Sequence, residues 1–558
     1  MDFVLAKSNL TILGIRFRDE CTRAIFITFL LIVGTIVDRV ARISTTPTGA
    51  SIMILKSKFI FIGTLILSSL APLAYPNEIR NGDPSHPNVI MIAVDDMNAW
   101  LGPLGNQQAI TPNLDRLASM GVTFTNAHTA GVYCAPSRAA IFTGRLASTT
   151  GCYDRQVYFY EHPEYRPLQK AFQDAGYNTY GTGKLFHHPA GMVDLRGWTE
   201  FKIRTQEQRE SGWPMDTWEH GAPLPDPYPG SPYNQTNPNW TGRPFMEIGA
   251  IPNDREEDMA DTRRANWVCD LISKEHDKPF FVGLGFYAPH YPNYAPQKYF
   301  DLYPIESIQR PPWKEDDLED IPDIQRKPQE NRKKSVHGRL LELGIVDETI
   351  QAYLACISYA DAMVGRVLDA LDSSPNKDNT LIVFWSDHGY HHGQKGNWGK
   401  HTLWRQTSHV PFIWAGPKIA NGEVVEEAAS LVDLYATLVD HCNLEEDSGL
   451  EGSTLSGALS DPDTASDRSV VLPYDVPGSY AVMSKDWRYI RYEDGSEELY
   501  DLNKDPEEWQ NLASDPEYES IKERLKNDAP TSFAPLGTQF NNLKIVVEGE
   551  SFRWVPKR

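Results

Sequence analysis

The segment Tyr133–Gly144, YCAPSRAAIFTG, sets Cys134 directly before alanine, proline, serine and the permanently charged Arg138. Other residues with chemistry to offer close apolar runs: Asp95 and Asp96 end NVIMIAVDD, and Asp387 and His388 follow TLIVFWS. Carboxylate oxygens in such places suit a hard divalent cation such as Ca²⁺ or Mg²⁺, although strand-end acids also cap helices or face water. A second set is cationic. Lys184 and His187 lie in GTGKLFH, one turn apart if a helix begins there; His290 sits between prolines in YAPHYP, and Lys400 in GNWGKH. A metal facing Arg138, Lys184, His187, His290 and Lys400 is what transfer of a tetrahedral oxyanion group needs. Charge grows on the transferred oxygens and the leaving group, and preorganised cations stabilise it. A thiolate would be a mismatched ligand there, because soft sulfur prefers zinc or copper. Cys134 is therefore either an inert core cysteine or a residue that does not stay a cysteine.

Several elements must position these groups. NVIMIAV is a buried-type strand, TPNLDRLASMG a helix with Thr111 as cap and Pro112 at its first position, and LQKAFQDAGYNTYGTGK a helix, glycine and strand. Ala260–Lys274 reads as a helix, PFFVGLGF as a core strand, and IQAYLACISYADAMVGRVLDALD as a long amphipathic helix feeding the strand TLIVFWS. Strands alternating with helices predict an α/β fold with a large, mainly parallel mixed sheet flanked by helices. Sites in such sheets gather at the carboxyl ends of strands, where both acid pairs fall. After about residue 465, short alternating strands and an Asp494-Gly495 turn predict a small C-terminal antiparallel subdomain. The expected division is a targeting region over 1–75, a catalytic domain over 76–464 and the subdomain over 465–558. Residues 203–255, rich in Pro, Gly, Asn and Trp, read as a long ordered loop, and Lys314–Lys334 as charged surface.

With 53 Lys+Arg against 75 Asp+Glu, the net charge is −22, which argues against a nucleic-acid partner. An anionic substrate must then be held by a locally basic pocket. The six cysteines, at 21, 134, 152, 269, 356 and 442, form no CxxC, so neither zinc nor a dense disulfide framework is expected. Lys56 and Lys58, the apolar run Phe59–Leu70 and the small residues after it have the order of a secretory signal, with Met53 as the expected true start. The body of the protein is thus expected to be exported, periplasmic or secreted, with no stable membrane association after cleavage. His391, His392 and His401 flank the site and are expected to be exposed. Trp213, Trp218, Trp240 and Tyr233 could stack on sugar rings, but pinning their loop by packing is the favoured reading.

Cys134-Ala-Pro-Ser-Arg138 with Thr143-Gly144 resembles the signature of the sulfatase family, in the alkaline phosphatase superfamily. That signature directs oxidation of the cysteine to formylglycine. The resemblance extends over residues 85–515 and includes TPNLDRLA, GTGK, APH, SDHG and ELYDLNKDPEEWQNLA. GKLFHHP, FYAPHYP and SDHGYHHGQKGNWGKHTLWRQTSHVPFI place it near the iduronate-2-sulfatase and bacterial polysaccharide-sulfatase branch. The resemblance implies one Ca²⁺ per subunit, held by Asp95, Asp96, Asp387, His388 and the hydrated formylglycine at 134. One hydroxyl of that diol would attack sulfur and displace the alcohol, and the second would expel sulfate. Asp387 would serve as base, Arg138 and Lys184 would hold the diol, His187 would orient it, and His290 with Lys400 would bind the sulfate. The partners implied are a sulfated carbohydrate and a formylglycine-generating enzyme. Two other readings compete: a phosphonate monoester or phosphodiester hydrolase of the same superfamily, and an inactive binder of sulfated glycans.

Overall fold

Asn88–Val94 (β1) is apolar after its first residue and wholly buried, so both of its faces must be covered. The computed structural model, which describes residues 79–187, 194–202, 246–548 and 551–557, supplies that cover. β1 is central in an eight-stranded sheet with Gly121–Phe124 (β2), Asn178–Gly183 (β3), Glu200–Lys202 (β4), Phe280–Gly285 (β5), Thr380–Ser386 (β6), Phe412–Ala415 (β7) and Glu423–Val425 (β8), ordered β8-β2-β7-β6-β1-β5-β3-β4. Every strand pair is parallel except those made by β7. The fold is α/β, as expected.

Alternation along β1 sends its side chains to two cores. Ile90, Ile92 and Val94 pack with Pro112–Ser119 (α1), Ala260–Ile272 (α4) and the 27-residue Val346–Asp372 (α6). Val89, Met91 and Ala93 pack with Cys134–Thr143 (α2), Leu168–Asp174 (α3) and Asp433–His441 (α7). Each such fully buried aliphatic side chain contributes about 1.5–3 kcal/mol through removal from water.

Local expectations meet some corrections. The hydroxyl of Thr111 makes no hydrogen bond to the amides of α1. Those of Asn113 and Leu114 donate instead to Asp361 of α6, at 3.1 and 2.7 Å. The 314–334 segment is not simply surface: it contains Asp323–Arg332 (α5), in which Gln325 and Gln329 are buried. Within the stretch read as a loop, Ile248–Ile251 is a strand. Residues 203–245, with Trp213, Trp218, Tyr233 and Trp240, lie outside the described residues, as does the whole targeting region.

Val470–Pro473 (β9), Tyr480–Met483 (β10), Trp487–Arg491 (β11) and Glu497–Asp501 (β12) form an antiparallel sheet in sequence order, with Gly495 at φ +85° in the turn before β12. One face packs on Leu403, Trp404 and Val132. The other packs on Glu519–Lys526 (α8) through Leu525. Among the described residues no helix is long and apolar enough to cross a membrane.

Candidate active site

The site is built where β1, β3, β5 and β6 end. β1 delivers Asp95 and Asp96, both buried, and turns sharply: Asp96 has φ +63°, a left-handed conformation that costs a non-glycine residue about 1–3 kcal/mol. Its surroundings hold it there. Tyr353 of α6 donates its hydroxyl to the Asp96 carbonyl at 2.7 Å, and the Asp96 amide donates to Asp387 Oδ1 at 3.2 Å.

Cys134 is the first residue of α2, a helix buried on every side. Gly131 lets the preceding loop lie against it; a Cβ there would sit 2.5 Å from the Ser137 amide nitrogen. Ser137 and Thr129 both donate their hydroxyls to the Asp387 carbonyl, tying α2 to the end of β6. The Cys134 sulfur then lies 3.2 Å from His388 Nε2, 3.3 Å from Lys400 Nζ and 3.5 Å from Asp95 Oδ1. Its thiol pKa is pushed up, first by burial and then by Asp95.

Two buried cations, Arg138 and Lys184, and the half-buried Lys400 interleave with three carboxylates. Arg138 donates through Nε to Asp387 Oδ2 at 2.9 Å, through a second nitrogen to Asp95 Oδ1 at 3.4 Å, and through the third to the Lys184 carbonyl. Lys184 pairs with Asp95. It gets there because Gly183 (φ +75°) and Gly285 let two strand ends meet; a Cβ on Gly285 would lie 2.3 Å from the Lys184 carbonyl carbon. Lys400 Nζ lies 2.5 Å from Asp96 Oδ1. Burial alone would raise the Asp95 pKa, but Lys184, His290, Arg138 and Lys400 outweigh it and hold Asp95 well below the usual carboxylate range. For Asp387 burial wins over Arg138, and its pKa is pushed up to about 7. Burial pushes His388 down to about 3 and His290 to about 4, so both are neutral. His290 Nε2 stands 3.7 Å from Asp96 Oδ2.

All seven residues expected to do chemistry, and both strand-end acid pairs, are in this region, with one difference of detail. Lys184 and His187 do not share a helical turn; the chain there is bent. His187 Nε2 lies 2.6 Å from the Tyr133 hydroxyl. Tyr133 itself was not legible in the sequence. It stacks on His401 at 4.6 Å, lies under Lys400 and receives a hydrogen bond from Arg155 Nε at 3.2 Å. The expected exposure of two histidines is wrong: His391 and His392 are completely buried. His391 bonds Thr402 at 2.8 Å, and His392 packs on Tyr353 with ring centres 4.0 Å apart. His401 is partly exposed and bonds Asp475 at 2.9 Å.

Asp95, Asp96, Cys134 and His388 offer ligand atoms all within 4.8 Å of one another, a cluster that could hold a metal ion. The carboxylates and a neutral imidazole fit a divalent cation. A thiol does not fit a hard one, and an oxygen at position 134 would. The Asp387 carboxylate borders this cluster.

A doubly covered, mainly parallel sheet with cations and carboxylates interleaved at its carboxyl end suits an α/β enzyme that acts on oxyanion esters. The chain belongs to the sulfatase family, whose sequence model matches residues 87–444, and is a sulfuric ester hydrolase. A model described as N-sulphoglucosamine sulphohydrolase, C-terminal, matches 393–531. A sulfatase of Formosa agariphila is 38% identical over 82% of this chain and 88% of its own. Human iduronate 2-sulfatase is 29% identical over 63% of this chain and 64% of its own length. In fold the chain is similar to a phosphonate monoester hydrolase of Agrobacterium radiobacter, with a TM-score of 0.60 at 20% identity over 85% of this chain and all of the other.

Proposed function

We propose that the protein is an exported, calcium-dependent sulfatase that removes sulfate from a carbohydrate, with residue 134 oxidised from cysteine to formylglycine. The observation that carries this is the convergence on Cys134 of two carboxylates, a neutral histidine and a lysine. Asp95, Asp96, Asp387, His388 and residue 134 would hold Ca²⁺. When bound, the cation would supply Lewis-acid stabilisation of negative oxygen.

The protein's own side chains supply the rest. Arg138 and Lys184 fix Asp95 and Asp387 and stand as permanent charges beside residue 134. Asp387 accepts the proton of the attacking hydroxyl. His187 orients residue 134 from the side of Tyr133, and His290 and Lys400 bind the sulfate and stabilise the departing oxygen. Three carboxylates and three cations cancel, so a divalent cation would leave the site with two positive charges to attract a monoanionic sulfate ester. The carbohydrate assignment rests on the similarity to iduronate 2-sulfatase.

A phosphonate monoester or phosphodiester carries the same charge, so activity must separate them. Protein made with a formylglycine-generating enzyme should give a residue-134 peptide lighter by about 18 Da, as CH₂SH becomes CHO. It should turn over sulfate esters faster than matched phosphonate monoesters and phosphodiesters. An unmodified cysteine in native protein, or preference for the phosphorus substrates, would overturn the reading. Export belongs to the same proposal: the mature protein should begin near Tyr75, and an N-terminus at Met1 or Met53 in native protein would refute it. So does the division into a catalytic domain, 76–464, and a subdomain, 465–558.

A further inference from the structure

Beside the active site, α5, the His401 loop and the β9–β10 and β11–β12 connections enclose a cavity of about 310 Å³. That is at the small end of the roughly 300–1,000 Å³ of small-molecule pockets. His401 is the wall between the two spaces. It follows Lys400 directly, stacks on Tyr133, the neighbour of Cys134, and turns its Nδ1 to Asp475 Oδ2. Its backbone is left-handed, φ +64°, held by its amide on the Val132 carbonyl and by Tyr474, which donates to its carbonyl at 2.8 Å.

The buried polar atoms left without a partner in this cavity are of one kind. Gln329 is 1% exposed, and its Oε1 has no hydrogen-bond partner; neither has the buried Asp475 Oδ1. Both are acceptors. Glu493, a second carboxylate on the wall, is engaged by Ser479, and the Arg332 guanidinium donates to the Lys400 carbonyl at 3.0 Å. Buried acceptors without donors destabilise the site, and a ligand that brings O–H or N–H groups relieves that. A sulfate or carboxylate brings only acceptors and a charge that the two carboxylates, Asp475 and Glu493, oppose more than Arg332, already bonded to the Lys400 carbonyl, attracts. Tyr474 and the aliphatic side chains of the wall offer the apolar surface on which a sugar ring lies.

We propose that this cavity is a specificity pocket for an uncharged, hydroxyl-bearing sugar ring, presented beside the scissile sulfate, which discriminates against substrates carrying a second anionic group at that position. This rests on the carbohydrate-sulfatase reading above.

The test uses the full-length formylglycine-bearing protein and matched disaccharides of neutral hexoses with one or two sulfates, with 4-nitrophenyl sulfate as a probe lacking a sugar. Wild type should favour the singly sulfated member of a matched pair by at least tenfold in kcat/KM. Asp475→Asn, which keeps an acceptor for His401 and removes the charge, should shrink that preference at least threefold. Equal turnover within the pairs would overturn the proposal, as would an Asp475→Asn effect that lowers all three substrate types by one factor. If no sulfate ester is hydrolysed, the functional reading fails, and the pocket is judged by calorimetry with the desulfated disaccharides. Binding to wild type that Gln329→Leu weakens at least tenfold supports the pocket; no binding to wild type overturns it.

Discussion

Two groups of charges meet on the Lys395–Arg405 loop and are built differently. At the carboxyl end of the sheet, Arg138 reaches two carboxylates, Asp95 meets two cations, and Lys400 touches both Asp96 and the Cys134 sulfur. Between the Lys395–Arg405 loop and the C-terminal sheet, each charge has its own partner. Lys395 pairs with Asp317 at 2.7 Å and Arg488 with Glu508. Glu498 accepts from Trp404, Tyr492 and Tyr500 at 2.8, 2.7 and 2.6 Å. Burial of charge is common to both. What separates them is that the first group shares its partners around one reactive atom, whereas the second pairs its charges one to one, with Arg488 Nη2 left over. The second clamps the loop from which Lys400 reaches the first.

That difference predicts which changes cost turnover and which cost stability. Cys134→Ala should lower kcat on the order of 10⁴-fold or more, as loss of a nucleophile does, with an unchanged urea midpoint. A variant that retained a tenth of wild-type turnover would remove residue 134 from the chemistry. Lys400→Met should lower kcat about 10²–10³-fold, the usual cost of removing a charge-stabilising donor. It also strands Asp96, so its loss of stability should be larger in EGTA than in calcium, where the ion compensates the carboxylate. Equal losses in both would mean that calcium does not sit beside Asp96. Glu508→Gln, by contrast, leaves Arg488 buried without its counter-charge and should cost about 3–5 kcal/mol in urea unfolding. That cost should be the same with and without calcium. A calcium-dependent cost would join the two groups into one.

The contrast also explains what could be read from the sequence. Asp95, Asp96 and Asp387 were legible because an apolar run that ends in acids must place them at a sheet edge, and a parallel sheet brings such edges together. The helix–strand alternation gave the sheet for the same reason. Pairing across the loop and the C-terminal sheet had no such signature: Lys395 and Asp317 are 78 residues apart in unrelated contexts. Tyr133 was hidden because nothing in its own spacing marks a residue whose role is to touch His187, His401 and Lys400 at once. Thr111 does stand at the cap position, but the amides of α1 turn from its hydroxyl to a carboxylate, Asp361, 248 residues from Asn113. The exposure of His391 and His392 was misread because polar residues beside a site were taken to face water, whereas here they are packing.

The histidines supply the smallest and most selective of these tests. His392 is buried against Trp100, Tyr353 and Tyr390, and its Nε2 has no hydrogen-bond partner. Burial pushes its pKa down to about 3 from an ordinary 6.5. A depressed histidine pKa means that the unfolded chain binds the proton more readily, so the stability from keeping His392 neutral is complete above pH 6.5 and is lost as pH falls toward 3. The loss approaches about 1.4 kcal/mol per pH unit inside that window. His392→Phe keeps the ring contacts and removes the titration. Near pH 7.5 it should differ little from wild type in stability. At pH 5 it should be the more stable by about 2 kcal/mol, the integral of that slope below 6.5, in urea titrations at the two pH values. Equal acid sensitivity of the two proteins would mean that His392 is solvated, and a loss of turnover with stability preserved would return it to the active site.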